Sequence, residues 1–212
     1  GTPLLVEYGT EMNGRWFPWN AVWNGRETGA RKFRDAYRHI IDVMRGQGAS
    51  NIIWIFHVNH VDDPEEAWNR FEAYYPGNRW IDVVGVSIYS MLGPSETERT
   101  DFVRALDAAA RRLRRMAPGR PMIVSEFGTD VHNRREPAAR WANRALKAMH
   151  ARRWRDLVGF AWWNERWEND DNPAHDTDMR IQASPTLAAV FRRYLRPRAR
   201  AILHGNRSRT AR

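Results

Sequence analysis

Cysteine is absent from the 212-residue chain, so neither a disulfide nor a thiolate site can form. Apolar runs long enough to cross a membrane are also missing, and no secretory leader is visible at the start. Lysine is scarce beside arginine, which supplies most of the positive charge behind the net +9. These absences exclude a disulfide scaffold and a membrane-spanning protein, and they do not decide the compartment.

The chain has the pattern of five repeats of a strand followed by a helix. Short apolar runs that begin near residues 4, 51, 81, 121 and 157 alternate with segments whose apolar residues recur at helical spacing. This alternation indicates a parallel sheet covered by helices, either part of a (β/α)8 barrel or a doubly wound open sheet. The open sheet has less support because no glycine-rich phosphate loop follows the first strand.

Length favours an incomplete barrel. A complete (β/α)8 barrel takes about 250 residues, whereas five units fit the 212 residues present. We predict that residues 1–195 form part of a barrel domain and that residues 196–212, with six arginines and no acidic residue, form a basic disordered tail. Most of the excess charge lies in that tail, so solvated charge is favoured over a nucleic-acid site, which stays the minor alternative.

Two of the apolar runs end in a glutamate. Glu11 follows the run Leu4–Tyr8, in a loop that also carries an amide, a guanidinium and three aromatic side chains. Glu126 lies at the end of the run Pro121–Gly128. In parallel barrels the carboxyl ends of strands carry the chemistry. A retaining glycosidase needs two such carboxyl groups about 5–5.5 Å apart, and loop aromatics suit stacking on sugar rings.

Five segments in order resemble glycoside hydrolase family 26, the β-mannanase-like members of clan A, which are retaining (β/α)8-barrel glycosidases. The resemblance implies that the chain holds strands four to eight with their helices, that Glu11 is the acid/base and that Glu126 is the nucleophile. One departure is Thr10, where the family usually has histidine and most of the clan has asparagine. The segments are Thr10–Gly14 with Trp16–Trp19, Asn51–Ile55, Tyr75–Val86, Ser125–Gly128 and Phe160–Asn164.

Further side chains are candidates for contact with the sugar. By resemblance, Tyr89 orients the nucleophile and Trp162 is the platform under the sugar at the cleavage point. Asn13 either touches substrate or, as the favoured role, holds the acid/base loop. His57 is as readily a core residue as a site residue. The full set of predicted substrate-binding residues is Asn13, Trp16, Trp19, Asn59, His60, Tyr89, Trp162 and Trp167.

An acidic loop, Asp170–Asp178, precedes Arg180. It has the oxygen ligands that Ca²⁺ prefers, but it lacks EF-hand spacing, so we favour a loop closed by an ion pair with Arg180. The two-carboxylate mechanism requires neither a metal nor a cofactor.

The predicted function is that of a retaining endo-β-glycosidase acting on a β-1,4-linked polysaccharide, with mannan first and β-glucan or xylan next. The alternative is a non-catalytic carbohydrate-binding remnant of a barrel. The expected partner is the polysaccharide, with no nucleic acid and no membrane. The protein is expected to be secreted, and a monomer when complete.

Overall fold

The computed structural model describes residues 2–195, and the tail predicted over 196–212 lies outside the described residues. Strands and helices alternate along the chain as predicted. The strands are β1 (Leu4–Glu7), β2 (Ile52–Asn59), β3 (Val83–Tyr89), β4 (Met122–Gly128), β5 (Leu157–Trp162), β6 (Arg166–Trp167) and β7 (Thr177–Asp178). The helices are α1 (Glu27–Gly46), α2 (Phe71–Tyr74), α3 (Phe102–Met116), α4 (Ala138–His150) and α5 (185–195).

The first five strands form one sheet in the order β1-β2-β3-β4-β5. β1 runs parallel to β2, with Glu7 opposite Ile55, and β2 runs parallel to β3, with His57 opposite Gly85. Spatial order therefore equals chain order, with no reversal of the kind that defines a doubly wound sheet. The fold is α/β, an incomplete (β/α)8 barrel, as predicted.

The described chain divides into two compact units. The first takes in the chain as far as Ile88 together with Arg104–Phe127 and Asp156–Ala161. The second contains Tyr89–Val103, Gly128–Arg155 and the chain from Trp162 onward. Most of the five-stranded sheet lies in the first unit, and the antiparallel pair β6–β7 lies in the second.

The core of the first unit forms where α1 covers the sheet. The apolar stripe Phe33, Tyr37 and Ile41 is buried, as its helical spacing predicts. The Tyr37 hydroxyl donates a hydrogen bond to the Ile55 carbonyl oxygen at 2.6 Å. This bond satisfies the buried phenol and ties α1 to β2.

In the second unit, the indole of Trp141 on α4 is buried edge-on against Phe102 on α3. Its Nε1 donates to the Thr100 carbonyl oxygen at 2.7 Å. Ser184 precedes α5, and its hydroxyl accepts a hydrogen bond from the Leu187 amide at 3.3 Å, as a helix N-cap does. No helix within residues 2–195 is both long and apolar enough to cross a membrane.

The outer strands are less buried than continuously apolar runs suggest. Leu5 on β1 is 61% exposed and Val158 on β5 is 67% exposed. A continuously apolar run predicts a buried strand, and for β1 this prediction is wrong. Its physical cause is position: β1 and β5 are the first and last strands of the sheet, so each has a neighbouring strand on one side.

Candidate active site

The two predicted catalytic glutamates lie together in the first unit. Glu11 lies on the loop after β1 and is 7% exposed, whereas Glu126 on β4 is half-buried. One carboxylate oxygen of each glutamate and one ring nitrogen of His57 all lie within 4.8 Å of one another. Residues 115 positions apart in the chain thus meet at one point.

The backbone at Glu11 is fixed by hydrogen bonds on both sides. Its φ of 50° is in the left-handed region, which non-glycine residues seldom adopt. Its amide donates to the His57 carbonyl oxygen at 3.0 Å, and its carbonyl oxygen accepts from the Gly14 amide at 2.8 Å. Strained conformations of this kind concentrate at functional sites.

Both carboxylate oxygens of Glu11 accept a hydrogen bond. Asn59 Nδ2 donates to Oε1 at 2.9 Å, and Trp16 Nε1 donates to Oε2 at 2.9 Å. The indole of Trp16 can approach because residue 14 is glycine: a Cβ added there would lie 2.2 Å from the ring. Two donors on different segments therefore set the orientation of the carboxylate.

Asn13 is fully buried and joins the loop after β1 to the loop after β2. Its Nδ2 donates to the Asn59 and Val61 carbonyl oxygens and to Asp62 Oδ1, at 2.8–3.0 Å. Its Oδ1 accepts from the Asn59 amide at 2.9 Å. Of the two roles predicted for Asn13, these contacts are those of loop support.

Trp19 and His60 lie at the margins of this loop pair. Trp19 stacks on Phe17 with ring centroids 4.3 Å apart, and its Nε1 donates to the Thr10 carbonyl oxygen at 2.9 Å. His60 is half-buried, its Nδ1 is buried and has no hydrogen-bond partner, and burial lowers its pKa. Trp19 thus supports the loop, whereas His60 keeps an unused polar atom.

The segment after β2 differs from its predicted structure. The pair Asp63-Pro64 predicts a helix that begins with an N-cap and a proline at the first helical position, but no helix begins there. The Asp63 carboxylate is bound instead by Arg15, with an Nη2–Oδ1 distance of 2.6 Å. Asp62 accepts from the Phe71 amide at 3.2 Å, and the helix that follows, α2, is a single turn.

A network of hydrogen-bonded polar side chains lies beside the two glutamates. Of its members, only His57 was a candidate from the sequence. His57 is 1% exposed. Its Nδ1 lies 2.8 Å from Glu7 Oε2, and its Nε2 lies 2.5 Å from the Ser87 hydroxyl. The Ser125 hydroxyl donates to Glu7 Oε1 at 2.6 Å. The available signal was a polar side chain inside an otherwise apolar run, at Glu7 and again at Ser125.

These contacts shift the pKa values of His57 and Glu7 in opposite directions. Burial alone would lower the pKa of His57, but its hydrogen bond to Glu7 and the Glu7 charge raise that pKa. Burial alone would raise the pKa of Glu7, but its hydrogen bond to His57 and the His57 charge lower that pKa. Both shifts favour an imidazolium–carboxylate pair.

Glu11, His57 and Glu126 have the donor types and the spacing of a metal site. Both ring nitrogens of His57 are, however, already engaged by Glu7 and Ser87. A metal would have to displace one of these buried hydrogen bonds, so the cluster fits a hydrogen-bonded charge network better than a coordination sphere.

The remaining candidates lie in the second unit. The Tyr89 ring packs on Gly128, where an added Cβ would be 3.4 Å from Cε1. Trp162 is half-buried, and its Nε1 donates to the Met179 carbonyl oxygen at 2.6 Å. Trp167 on β6 donates from Nε1 to Asn169 Oδ1 at 3.0 Å. Each of these rings is anchored within its own unit.

The acidic loop of the second unit is closed by ion pairs. Arg180 binds the Asp178 carboxylate through Nε and Nη2 at 3.0 and 2.8 Å, and this hydrogen bond lowers the pKa of Asp178. Arg166 binds Asp176 at 2.7 Å. The predicted ion pair with Arg180 is confirmed.

Fold and site together define a (β/α)8-barrel protein of the class that places its functional carboxylates where strands end. The chain belongs to glycosyl hydrolase family 26, whose model matches residues 1–152. The resemblance stated from the motifs is therefore confirmed.

Individual relatives are distant and longer. Endoglucanase H of Acetivibrio thermocellus is 26% identical over 183 residues, covering 86% of this chain and 19% of that protein. Mannan endo-1,4-beta-mannosidase A and B of Caldalkalibacillus mannanilyticus is 25% identical over 177 residues, covering 81% of this chain and 30% of that protein. The chain thus spans less than a third of either relative.

The fold likeness is supported by a solved structure. The GH26 β-mannanase BoMan26A from Bacteroides ovatus superposes with a TM-score of 0.61 at 18% identity, covering 91% of this chain and 50% of that one. At this identity the likeness shows the fold alone.

Proposed function

We propose that the protein is a retaining endo-β-glycosidase that cleaves a β-1,4-linked polysaccharide with Glu11 as acid/base and Glu126 as nucleophile. The observation that carries the proposal is the approach of one carboxylate oxygen of each glutamate to within 4.8 Å. Retaining enzymes hold their carboxyl groups about 5–5.5 Å apart, whereas inverting enzymes keep about 6.5–9.5 Å for a water molecule.

In this mechanism Glu126 attacks the anomeric carbon while Glu11 protonates the departing glycosidic oxygen. A glycosyl ester forms on Glu126 and the aglycone leaves with the proton. Glu11, now ionised, takes a proton from water, which attacks the anomeric carbon and releases Glu126 as a carboxylate. The hydrogen bonds from Asn59 and Trp16 orient Glu11 for both proton transfers.

For the substrate we propose mannan first, with β-glucan or xylan next. Two relatives motivate this order: one is named as a mannan endo-1,4-beta-mannosidase and one as an endoglucanase. The exposed indole of Trp16, beside Glu11, suits stacking on a sugar ring. Polymers of this size are met outside the cell, so we also propose that the protein is secreted.

The test uses the full-length protein that contains this chain. Reducing ends are assayed after incubation with mannan, mixed-linkage glucan and xylan, for the wild type and for Glu126→Ala, with the exposed Glu65→Ala as the matched control. Release from one polymer that is lost in Glu126→Ala and kept in Glu65→Ala supports the proposal. Undiminished release by Glu126→Ala contradicts it, and binding without release favours the non-catalytic alternative.

The acid/base role of Glu11 is tested separately with aryl glycosides of graded leaving-group pKa. Glu11→Ala should slow poor leaving groups most, because good ones depart without protonation. An equal loss for every leaving group would contradict this role.

A further inference from the structure

The structure contains a buried ion pair that the two-glutamate mechanism does not use. His57 has no significant contact with solvent, and both of its ring nitrogens are held, one by Glu7 and the other by Ser87. Glu7 is held in turn by the Ser125 hydroxyl at 2.6 Å. The ring of His57 therefore has a fixed position and orientation, set from β1, β3 and β4.

Space for this network depends on one glycine. Gly85 lies opposite His57 in the parallel pairing of β2 and β3. A Cβ added at Gly85 would lie 2.3 Å from the Ser125 hydroxyl oxygen and 3.4 Å from the Cα of His57. Any larger residue would push the Ser125 hydroxyl out of its place beside Glu7.

The fixed ring lies beside both catalytic carboxylates. One ring nitrogen is within 4.8 Å of a carboxylate oxygen of Glu11 and of one of Glu126. The mechanism proposed above requires one of those carboxyls to be protonated and the other ionised before reaction, which gives the pair one negative charge. An imidazolium at this distance stabilises that negative charge. The positive charge of the imidazolium is itself balanced by the Glu7 carboxylate on the other side of the ring.

We propose that His57, held as an imidazolium by Glu7, is a positioning residue that keeps Glu126 ionised in the free enzyme. The proposal rests on the function proposed above. His57 does not reach substrate in this role; it acts through the carboxylate of Glu126. The chain thereby supplies a positive charge to a site whose other titratable members are carboxylic acids.

The groups that act on His57 come from several elements. Glu7 on β1, Glu11 on the following loop and Glu126 on β4 are acidic, and all three raise the pKa of His57 against the effect of burial. Ser87 and Ser125 contribute neutral hydroxyls. Tyr37 on α1 is also near the Glu7 charge. Burial and that charge raise the pKa of the Tyr37 phenol, so the phenol stays neutral.

The first experiment measures how fast an activated 2-deoxy-2-fluoro-β-mannoside labels Glu126 as a function of pH. It uses the full-length protein, with His57→Gln, Glu7→Gln and the exposed His39→Gln as the matched control. Labelling needs ionised Glu126. Loss of a charge within about 4–6 Å shifts a carboxyl pKa by about 1–3 units. We therefore expect the acid limb to move upward by about that amount in His57→Gln, and in the same direction in Glu7→Gln.

The acid limb of His39→Gln should stay where it is in the wild type. An unmoved acid limb in both network variants would overturn the proposal while leaving the two-glutamate function intact. Wild-type protein that is labelled neither by this reagent nor by its β-glucoside and β-xyloside counterparts would contradict the proposed function, and this proposal with it.

The second experiment does not depend on turnover or on the His57 variant folding. Histidine ¹⁵N NMR on the full-length wild-type protein reports whether each ring nitrogen carries a proton. We expect most His57 rings to be doubly protonated at pH 6.5, the ordinary pKa of histidine, and the ring to lose a proton at lower pH in Glu7→Gln. A singly protonated His57 ring at pH 6 in the wild type would overturn the proposal.

Discussion

Asn59 donates a hydrogen bond from Nδ2 to Glu11 Oε1 at 2.9 Å. The two residues are 48 positions apart in the chain, and Asn13 joins their loops by accepting the Asn59 amide hydrogen. The Glu11 carboxylate is thus oriented by the end of the neighbouring strand β2. A change at Asn59 should therefore be felt at Glu11.

Asn59→Ala is expected to lower kcat on polysaccharide by about 10–100-fold with a smaller effect on KM. A hydrogen bond to a charged group contributes about 1.5–3 kcal/mol, which corresponds to this range in rate. Steady-state kinetics on the full-length protein test it, with the exposed Gln47→Ala as control. Wild-type kcat in Asn59→Ala would show that the amide does not position Glu11.

Trp16→Phe should lower kcat by about tenfold, because the ring is kept while the indole N–H that reaches Glu11 Oε2 is lost. Trp23→Phe is the matched control: it also removes an exposed indole N–H, but one that donates to the Arg15 carbonyl oxygen. Equal losses of kcat in the two variants would mean that the hydrogen bond to Glu11 has no special role.

The Glu7–His57 pair should stabilise the fold most between about pH 4.3 and pH 6.5, the unfolded-state pKa values of glutamate and histidine. The pKa of folded Glu7 is lowered, so its contribution is lost as pH falls through that value. The pKa of folded His57 is raised, so its contribution is lost as pH rises through that value.

Urea unfolding of the wild type and of Glu7→Gln across this pH range measures the difference in free energy. The difference should pass through a maximum inside the window and shrink on both sides. A difference that does not vary with pH would contradict the ion pair.

The strand edges should make the 212-residue chain by itself prone to associate. Leu5 on β1 and Val158 on β5 are exposed on the first and last strands of the sheet, where backbone groups are available for pairing. We expect Leu5→Lys and Val158→Lys to reduce association, measured by light scattering after size exclusion. Val43→Lys, at an exposed position on α1, should have no such effect. A monodisperse wild-type chain would contradict the prediction.

The fold could be predicted because its signals are local. Apolar runs and helical stripes such as Phe33, Tyr37 and Ile41 repeat along the chain and need no knowledge of long-range contacts. The exposure of β1 and the single turn of α2 could not be predicted in this way. The first depends on the place of β1 in the sheet, and before α2 the Asp63 carboxylate binds Arg15 instead of capping a helix.

The closeness of Glu11 and Glu126 could likewise be predicted, because one glutamate follows an apolar run and the other lies at the end of one. The partners of Glu11 were harder to assign. Asn59 was predicted as a sugar contact, and its amide instead donates to the Glu11 carboxylate. The link of Glu7 to His57 joins β1 to β2. Such pairings depend on strand register, which cannot be determined from a single sequence.

The stereochemistry of the first product distinguishes a retaining from an inverting reaction. The full-length protein is mixed with a β-linked oligosaccharide in D₂O, and ¹H NMR follows the anomeric signals before mutarotation. We predict that the β-anomer appears first, because carboxylate oxygens within 4.8 Å favour a covalent intermediate and two inversions. Initial release of the α-anomer would contradict it.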